Sequence, residues 1–138
     1  MANYNTLQEA IDSGINNMTV LRNNSKNDDG TTTYASGIDW FKFNNTTVSN
    51  IYSSGNSWLG LGTSSEQLKV NRRDCAVWWE YKETGTIGVT KFFKFRWIGF
   101  SAYSSTSNSA KQGFDVFLLE NGQIFLNYFI VPSDNRNG

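Results

Sequence analysis

A strict alternation in one stretch constrains the fold of this chain more than any other feature. Phe93, Phe95 and Trp97 occupy every second position, and Lys94 and Arg96 fill the positions between them. Successive side chains of a strand point to opposite faces of its sheet. This period of two therefore predicts a half-buried antiparallel strand with one apolar and one charged face. The predicted strand covers residues 86–100 and is the longest in the chain.

A hairpin is predicted near the end of the chain. Asn121 and Gly122 separate two apolar runs, residues 114–120 and 123–131. Asn-Gly is the strongest short hairpin signal, because both residue types tolerate positive φ. Pro132 ends the second run, since proline cannot donate to a ladder.

The remaining pattern consists of short apolar runs separated by polar turn residues. Further strands are predicted at 18–22, 38–43, 48–52 and 74–81, and turns at 26–30, 53–56 and 82–85. Within 74–81, alternation places Val77, Trp79 and Tyr81 on one face and Trp78 on the other. Regularly spaced short strands predict an all-β fold, an antiparallel β-sandwich of the jelly-roll kind.

One segment near the N-terminus has a helical pattern. Asn5 is the predicted N-cap, with Gln8 completing a capping box, and Gly14 is the predicted C-terminal stop. We therefore divide the chain into an N-terminal helical arm, residues 1–16, and a single β-sandwich domain, residues 17–138.

Composition excludes several classes of function. The chain has no His and one Cys, which argues against His-based catalysis, a metal site, an intrachain disulfide and any cofactor. Twelve basic and twelve acidic residues leave no surplus for nucleic acid. The apolar runs are too short for membrane insertion, and the polar start does not resemble a signal peptide. We expect cytoplasmic synthesis, with release into a virion or to the cell exterior as the later fate.

A basic cluster is the first candidate ligand site. It consists of Lys69, Asn71, Arg72 and Arg73. Adjacent guanidinium groups can clamp a carboxylate or phosphate with paired hydrogen bonds. The alternative is that the two arginines pair with nearby carboxylates and fasten a connection.

Aromatic and polar residues supply the other candidates. Trp58 and Trp78 are candidate sugar contacts, since an indole ring stacks on the apolar face of a sugar. Core packing or a partner subunit is the alternative for each. Tyr103 and Asn108 lie in the Ser-rich segment 101–110, where a long polar loop suits recognition. The alternative there is an ordinary surface loop.

Carboxylates offer an alternative of another class. A small carbohydrate-active enzyme on a jelly roll would need two carboxylates facing each other across a cleft. Asp39 and Asp115 are the pair considered, but no spacing singles them out. We therefore predict no catalytic residues.

Residues 55–62 (GNSWLGLG), followed by 64–74 (SSEQLKVNRRD), resemble a segment of uncharacterised β-rich modules. These modules belong to tail-associated or surface proteins of Gram-positive bacteria and their prophages. The resemblance covers about residues 51–132 and assigns no functional residues. It implies a non-catalytic binding or structural module that recognises a glycan or a partner protein on a cell surface or in a tail assembly. A homo-oligomer is a further expectation, because tail proteins are usually symmetric.

Overall fold

A computed structural model describes residues 2–27, 30–35, 38–55, 58–62, 67–69, 75–99, 101–102 and 113–130. These residues form fourteen strands and one helix, α1 (Leu7–Asp12). The strands are β1 (Ala2–Tyr4), β2 (Thr19–Arg22), β3 (Thr31–Ala35), β4 (Lys42–Phe43), β5 (Thr46–Thr47), β6 (Asn50–Ser54), β7 (Trp58–Leu61), β8 (Gln67–Lys69), β9 (Cys75–Ala76), β10 (Trp79–Ile87), β11 (Thr90–Ile98), β12 (Ser101–Ala102), β13 (Gly113–Leu119) and β14 (Ile124–Ile130). The predicted all-β class with a short N-terminal helix is confirmed.

The largest sheet, called the main sheet here, has the order β1-β10-β11-β13-β14. Its central pairs are antiparallel hairpins: β10 with β11, and β13 with β14. β1 runs parallel to β10, with Ala2 opposite Gly85. β2 pairs antiparallel with the same strand nearer its start, with Thr19 opposite Lys82. The sheet is therefore mixed, because the chain's first strand joins it in the parallel direction.

β11 is buried on both faces, which corrects the half-buried strand predicted from its alternation. Phe93, Phe95 and Trp97 are fully buried, and so is Lys94, while Arg96 is 8% exposed. The alternation itself is correct, since apolar and charged side chains do take opposite faces. The charged face is covered because α1 packs over it and because its charges have buried partners.

A second sheet has the order β3-β6-β7-β8, and it shares one hydrophobic cluster with the main sheet. The side of the main sheet facing this cluster is called the inner face, and the side facing α1 the outer face. Ile51, Leu59 and Leu61 of the second sheet are fully buried in the cluster, beside Phe95 and Trp97 of the main sheet. The predicted β-sandwich and its jelly-roll arrangement both stay predictions, and the parallel pairing of β1 means that the main sheet is not purely antiparallel as predicted.

α1 begins one residue later than predicted. Thr6 is its N-cap, with Oγ1 accepting from the backbone N–H of Glu9 at 3.2 Å. Glu9 Oε2 in turn accepts from the backbone N–H of Asn5 at 2.8 Å. The Asn5 cap with Gln8 was therefore wrong, because Thr6 and Glu9 have the same spacing one residue on. Gly14 follows the helix with φ of +57°, as a glycine stop requires.

Three turns differ from their predictions. In the turn predicted at 53–56, Ser53 and Ser54 instead continue β6. Residues 82–85 are strand, and the β10–β11 turn lies at Gly88 and Val89. Gly85 resembles a turn glycine in sequence, but its missing Cβ makes room for the Ala2 backbone of β1. The predicted hairpin at Asn121-Gly122 is present, but only Gly122 has positive φ there, at +91°. Its loop is therefore the three-residue form closed by a glycine bulge.

Two predicted strands are interrupted. Residues 38–43 contain a bend, and only β4 is extended; β4 and β5 are joined by Asn44 and Asn45, both with positive φ. Residues 74–81 do not form one strand, since the ladder stops between β9 and β10 at Trp78. In both places a continuous apolar pattern hides a change of direction that depends on tertiary contacts.

Candidate functional site

The outer face of the main sheet carries a buried ion pair. Arg96 on β11 stands directly opposite Asp115 on β13. The guanidinium donates from Nε to Oδ1 at 2.6 Å and from Nη2 to Oδ2 at 2.9 Å. Asn127 of β14 donates to the same Oδ2 at 3.1 Å, and the Phe129 ring lies 3.9 Å from the guanidinium carbon. Both Asp115 oxygens are thus occupied, and the pair serves to connect three strands.

A second buried charge, on Lys94, fastens the N-terminal segment to the outer face. Nζ donates to the backbone oxygens of Ala10 at 2.9 Å and Gly14 at 2.8 Å, and to Ser13 Oγ at 3.3 Å. A cation at the C-terminal end of a helix compensates its unpaired carbonyl groups. Glu83 Oε1 lies 3.8 Å from the same Nζ.

Tyr4 completes this contact from β1. Its hydroxyl donates to Glu83 Oε2 at 2.6 Å. Burial, and then this bond to Glu83, raise the pKa of Tyr4 above its ordinary 10.0. Burial lowers the pKa of Lys94 below its ordinary 10.5, against the attraction of Asp115 and Glu83. These contacts hold a strand and a helix in place.

The inner face contains a third buried charge. Glu80 is fully buried and accepts from Arg22 Nε at 3.0 Å and from Ser53 Oγ at 3.2 Å. Ser53 belongs to β6, so this carboxylate links the main sheet to the second sheet. The buried charges described here all form structural contacts between neighbouring elements.

β14 is the part of the main sheet that is suited to bind something else. It is the last strand in the order, and Phe125, Leu126 and Tyr128 are 37%, 41% and 48% exposed. Its seven residues include no charge and no proline. Natural edge strands are usually protected by such residues, by bulges or by a covering element, because an open ladder pairs with other chains. β14 has one bulge, at Phe129 near its end, and its first five residues pair regularly with β13. Within the part of the chain that the structure describes, no strand covers this side of β14.

The direction of the β14 backbone groups follows from the hairpin. Leu119 N–H donates to the oxygen of Gln123 at 2.9 Å and closes the ladder at that pair. Bonded pairs alternate along an antiparallel ladder, so Phe125 and Asn127 direct their N–H and C=O groups towards β13. Ile124, Leu126 and Tyr128 therefore direct theirs away from the sheet.

Two residues predicted as ligand contacts come together on the second sheet. Trp58 on β7 stands opposite Lys69 on β8 in the register. Because Leu59 and Leu61 point into the core, alternation directs Trp58 to the other face, where it is half-buried. Tyr52, opposite Gly60, lies half-buried on the same face. This aromatic face, defined by Tyr52 and Trp58, is the feature nearest to the predicted sugar platform.

Trp78 occupies a different place. It lies between β9 and β10, half-buried, and its Cβ and the Trp79 ring lie against Gly99. Its backbone oxygen accepts from Ser25 N–H at 3.1 Å. Trp58 and Trp78 thus belong to separate elements.

The other predicted site residues are Asn71, Arg72, Arg73, Tyr103 and Asn108, and these lie outside the described residues, as does the Lys69 side chain.

The structure does not bring together Asp39 and Asp115. Ile38 and Phe41 pack into the cluster on the inner face, and Asp39 between them is exposed. Asp115 points to the outer face beside Arg96. The main sheet therefore separates the two carboxylates, and this pair cannot act across one cleft.

Two further properties concern the described residues. They contain no group of three or more His, Cys, Asp or Glu that would hold a metal ion. None of their helices has the length and apolar character that a membrane crossing demands.

Comparison of the chain with models of protein families, with curated proteins and with solved structures returned no match. The resemblance to prophage-associated modules therefore stays a prediction.

Sequence reasoning did not identify β14 as a site. Its pattern is typical of a buried strand, because Asn127 and Tyr128 are the polar residues of Ile124–Ile130 and the other five are apolar. The available signal was the missing charge in the last strand of a hairpin, where edge protection would be expected.

Proposed function

We propose that this chain is a non-catalytic binding or structural module that takes up a partner subunit along β14. The observation that carries the proposal is an uncharged seven-residue edge strand whose Phe125, Leu126 and Tyr128 stay more than a third exposed. An extended partner would gain main-chain hydrogen bonds from the outward groups and apolar contacts on both faces. Exposed apolar strips with this geometry are typical of interaction sites.

The use of the charged residues supports a non-catalytic role. Asp115, Glu80 and Lys94 are fully buried and bonded to neighbouring elements. Catalytic groups must reach a substrate, whereas these connect strands and a helix. The setting we propose is a tail or surface assembly of a phage or prophage, as the sequence resemblance implies. The chain would then act in a virion or outside the cell.

A glycan is the second candidate partner, because the aromatic face of Tyr52 and Trp58 points away from the core. Half-buried aromatic rings with polar neighbours suit stacking on sugars. Lys69, also predicted as a ligand contact, stands opposite Trp58 in the backbone register.

Binding to intact Gram-positive cells and to their isolated wall polysaccharide tests both candidates. Leu126→Lys/Tyr128→Lys alters β14, and Trp58→Ala alters the aromatic face. Val20→Lys/Val89→Lys is the matched control, because these valines are 54% and 95% exposed on other elements. We expect saturable binding to cells that only the β14 variant loses. Loss in Trp58→Ala, with competition by polysaccharide, would favour the glycan instead. Equal binding by all variants would contradict both sites.

A further inference from the structure

We infer that the partner of β14 is β14 of a second copy of this chain, paired antiparallel about a two-fold axis at Asn127. This inference rests on the proposed function and names its partner. A two-fold pairing places the same strand against itself, so residue and partner must match at every position. Around Asn127, β14 meets that requirement in its backbone, in its side chains and in its lack of charge.

The backbone matches from Ile124 to Tyr128, because its outward groups alternate in the correct phase over that stretch; Phe129, which is skipped in the register with β13, forms a bulge just beyond it. Leu126 and Tyr128 direct N–H and C=O groups away from β13, as the closing bond at Leu119 and Gln123 requires. With the axis at Asn127, Leu126 of one copy stands opposite Tyr128 of the other. These two positions then form a bonded pair, and Asn127 faces its symmetry mate in the closer, non-bonded pair.

The side chains match on both faces. On the outer face Phe125 meets Phe129 of the other copy, beside the central pair of Asn127 residues. On the inner side Leu126 meets Tyr128, which already packs edge-on against Phe114 at 4.7 Å. Directly opposed aromatic and aliphatic side chains stabilise antiparallel pairs.

The absence of charged residues from β14 removes the usual obstacle to self-pairing. A two-fold axis brings equal charges near each other, and like charges directly opposite destabilise a ladder. Ile124–Ile130 has none.

The size of the contact predicts a dimer that dissociates on dilution. Seven residues of strand extend about 24 Å. Edge pairing over that length, with the flanking side chains, buries on the order of 1,000 Å² in total, the lower end for specific interfaces. We expect sedimentation equilibrium of the wild type to show monomer and dimer in exchange at micromolar concentrations.

Disulfide trapping tests the register. At the axis, the two Asn127 Cα atoms would lie about 4.5 Å apart, within disulfide range. The two Phe125 residues lie on the same face, but their Cα atoms would be about 14 Å apart along the strands. We expect Asn127→Cys to form a covalent dimer under mild oxidation at least tenfold faster than Phe125→Cys. Wild type, which has only Cys75, is the background control, and peptide mapping identifies the linked residue. Equal rates, or no linkage at position 127, would overturn the inference.

Mixing two β14 variants of opposite charge provides a second test, which leaves Asn127 and its bond to Asp115 unchanged. Leu126→Lys/Tyr128→Lys places like charges opposite each other in a self-pair, and so does Leu126→Glu/Tyr128→Glu. Each variant alone should be monomeric, and an equimolar mixture should form a heterodimer. A mixture that stays monomeric would overturn the inference. If wild type is also monomeric but cell binding is still lost in the β14 variant, the proposed function stands and its partner is a different molecule.

Discussion

Replacing Asp115 by Asn should reveal how much the buried ion pair contributes to the free energy of unfolding. The substitution keeps the size of the side chain and removes its charge. Arg96 is 9% exposed at its side chain, and Asp115 is fully buried. The amide cannot accept both guanidinium bonds, since one of its two positions becomes a donor. Arg96 is then left charged, in a site that water reaches poorly.

The expected loss follows from that imbalance. Removing one partner of a buried pair costs about 3–5 kcal/mol, because the remaining charge is uncompensated. The Phe129 ring stays 3.9 Å from the guanidinium and retains a cation–π contact worth about 1–2 kcal/mol. We therefore expect a loss near the lower end, about 3 kcal/mol. For a chain of this length that corresponds to a fall in Tm of roughly 10 °C.

Urea unfolding followed by tryptophan fluorescence measures this loss, with calorimetry for Tm. Asp39→Asn is the matched control, because Asp39 is exposed and should change stability by less than about 0.5 kcal/mol. The apolar double variant Arg96→Met/Asp115→Leu should recover most of the loss, since it leaves no buried charge. A loss below about 1 kcal/mol in Asp115→Asn, or a double variant as unstable as the single one, would refute the reasoning.

Three further predictions concern the N-terminal segment. Lys94→Met should lower the free energy of unfolding by about 2–4 kcal/mol, because charged hydrogen bonds to the helix end are lost and Glu83 stays buried without its cation. Amide hydrogen exchange should then rise across residues 2–17, and unchanged exchange would contradict this. Because the pKa of Tyr4 is raised, its contribution to stability is complete below pH 10 and is lost as pH rises through its folded value. The contribution of Lys94 has the opposite pH dependence, because its lowered pKa makes stability rise with pH up to about pH 10.5. Above that pH, urea unfolding should therefore show wild type losing its stability advantage over Tyr4→Phe. Parallel curves would contradict the assignment. Gly85→Ala should detach β1, because its Cβ would overlap the Ala2 backbone; overpacking of this kind costs about 1–3 kcal/mol in chemical unfolding, and a neutral effect would contradict the β1–β10 pairing.

Local patterns predicted the parts of the fold that depend on local physics. The alternation at Phe93, Phe95 and Trp97 follows directly from the pleat of β11. The turn at Gly122 follows from the need for a residue that adopts positive φ. The class of the fold follows from these signals. Gly85 shows where they fail, because a glycine in a polar run looks the same whether it turns the chain or admits a neighbouring backbone.

The candidate site depends on contacts between residues that are far apart in the chain. Lys94 and Arg96 resemble a solvated face, yet α1 and Asp115 cover them from more than 15 positions away. β14 resembles a core strand, yet it lies at the end of the sheet order. Strand order is a property of the whole chain, so the most exposed apolar strand could not be recognised from its own residues.

The opposite side of the main sheet decides how far any assembly can grow. β1 and β2 both pair with β10, in opposite directions and over three or four residues each. Such short and opposed strands give no continuous template for another chain, so of the two described edges of the main sheet β14 offers the longer ladder. Growth through this sheet would therefore stop at two copies. In the inferred dimer, β1 and β2 would thus act as terminators that oppose polymerisation into a cross-β fibre.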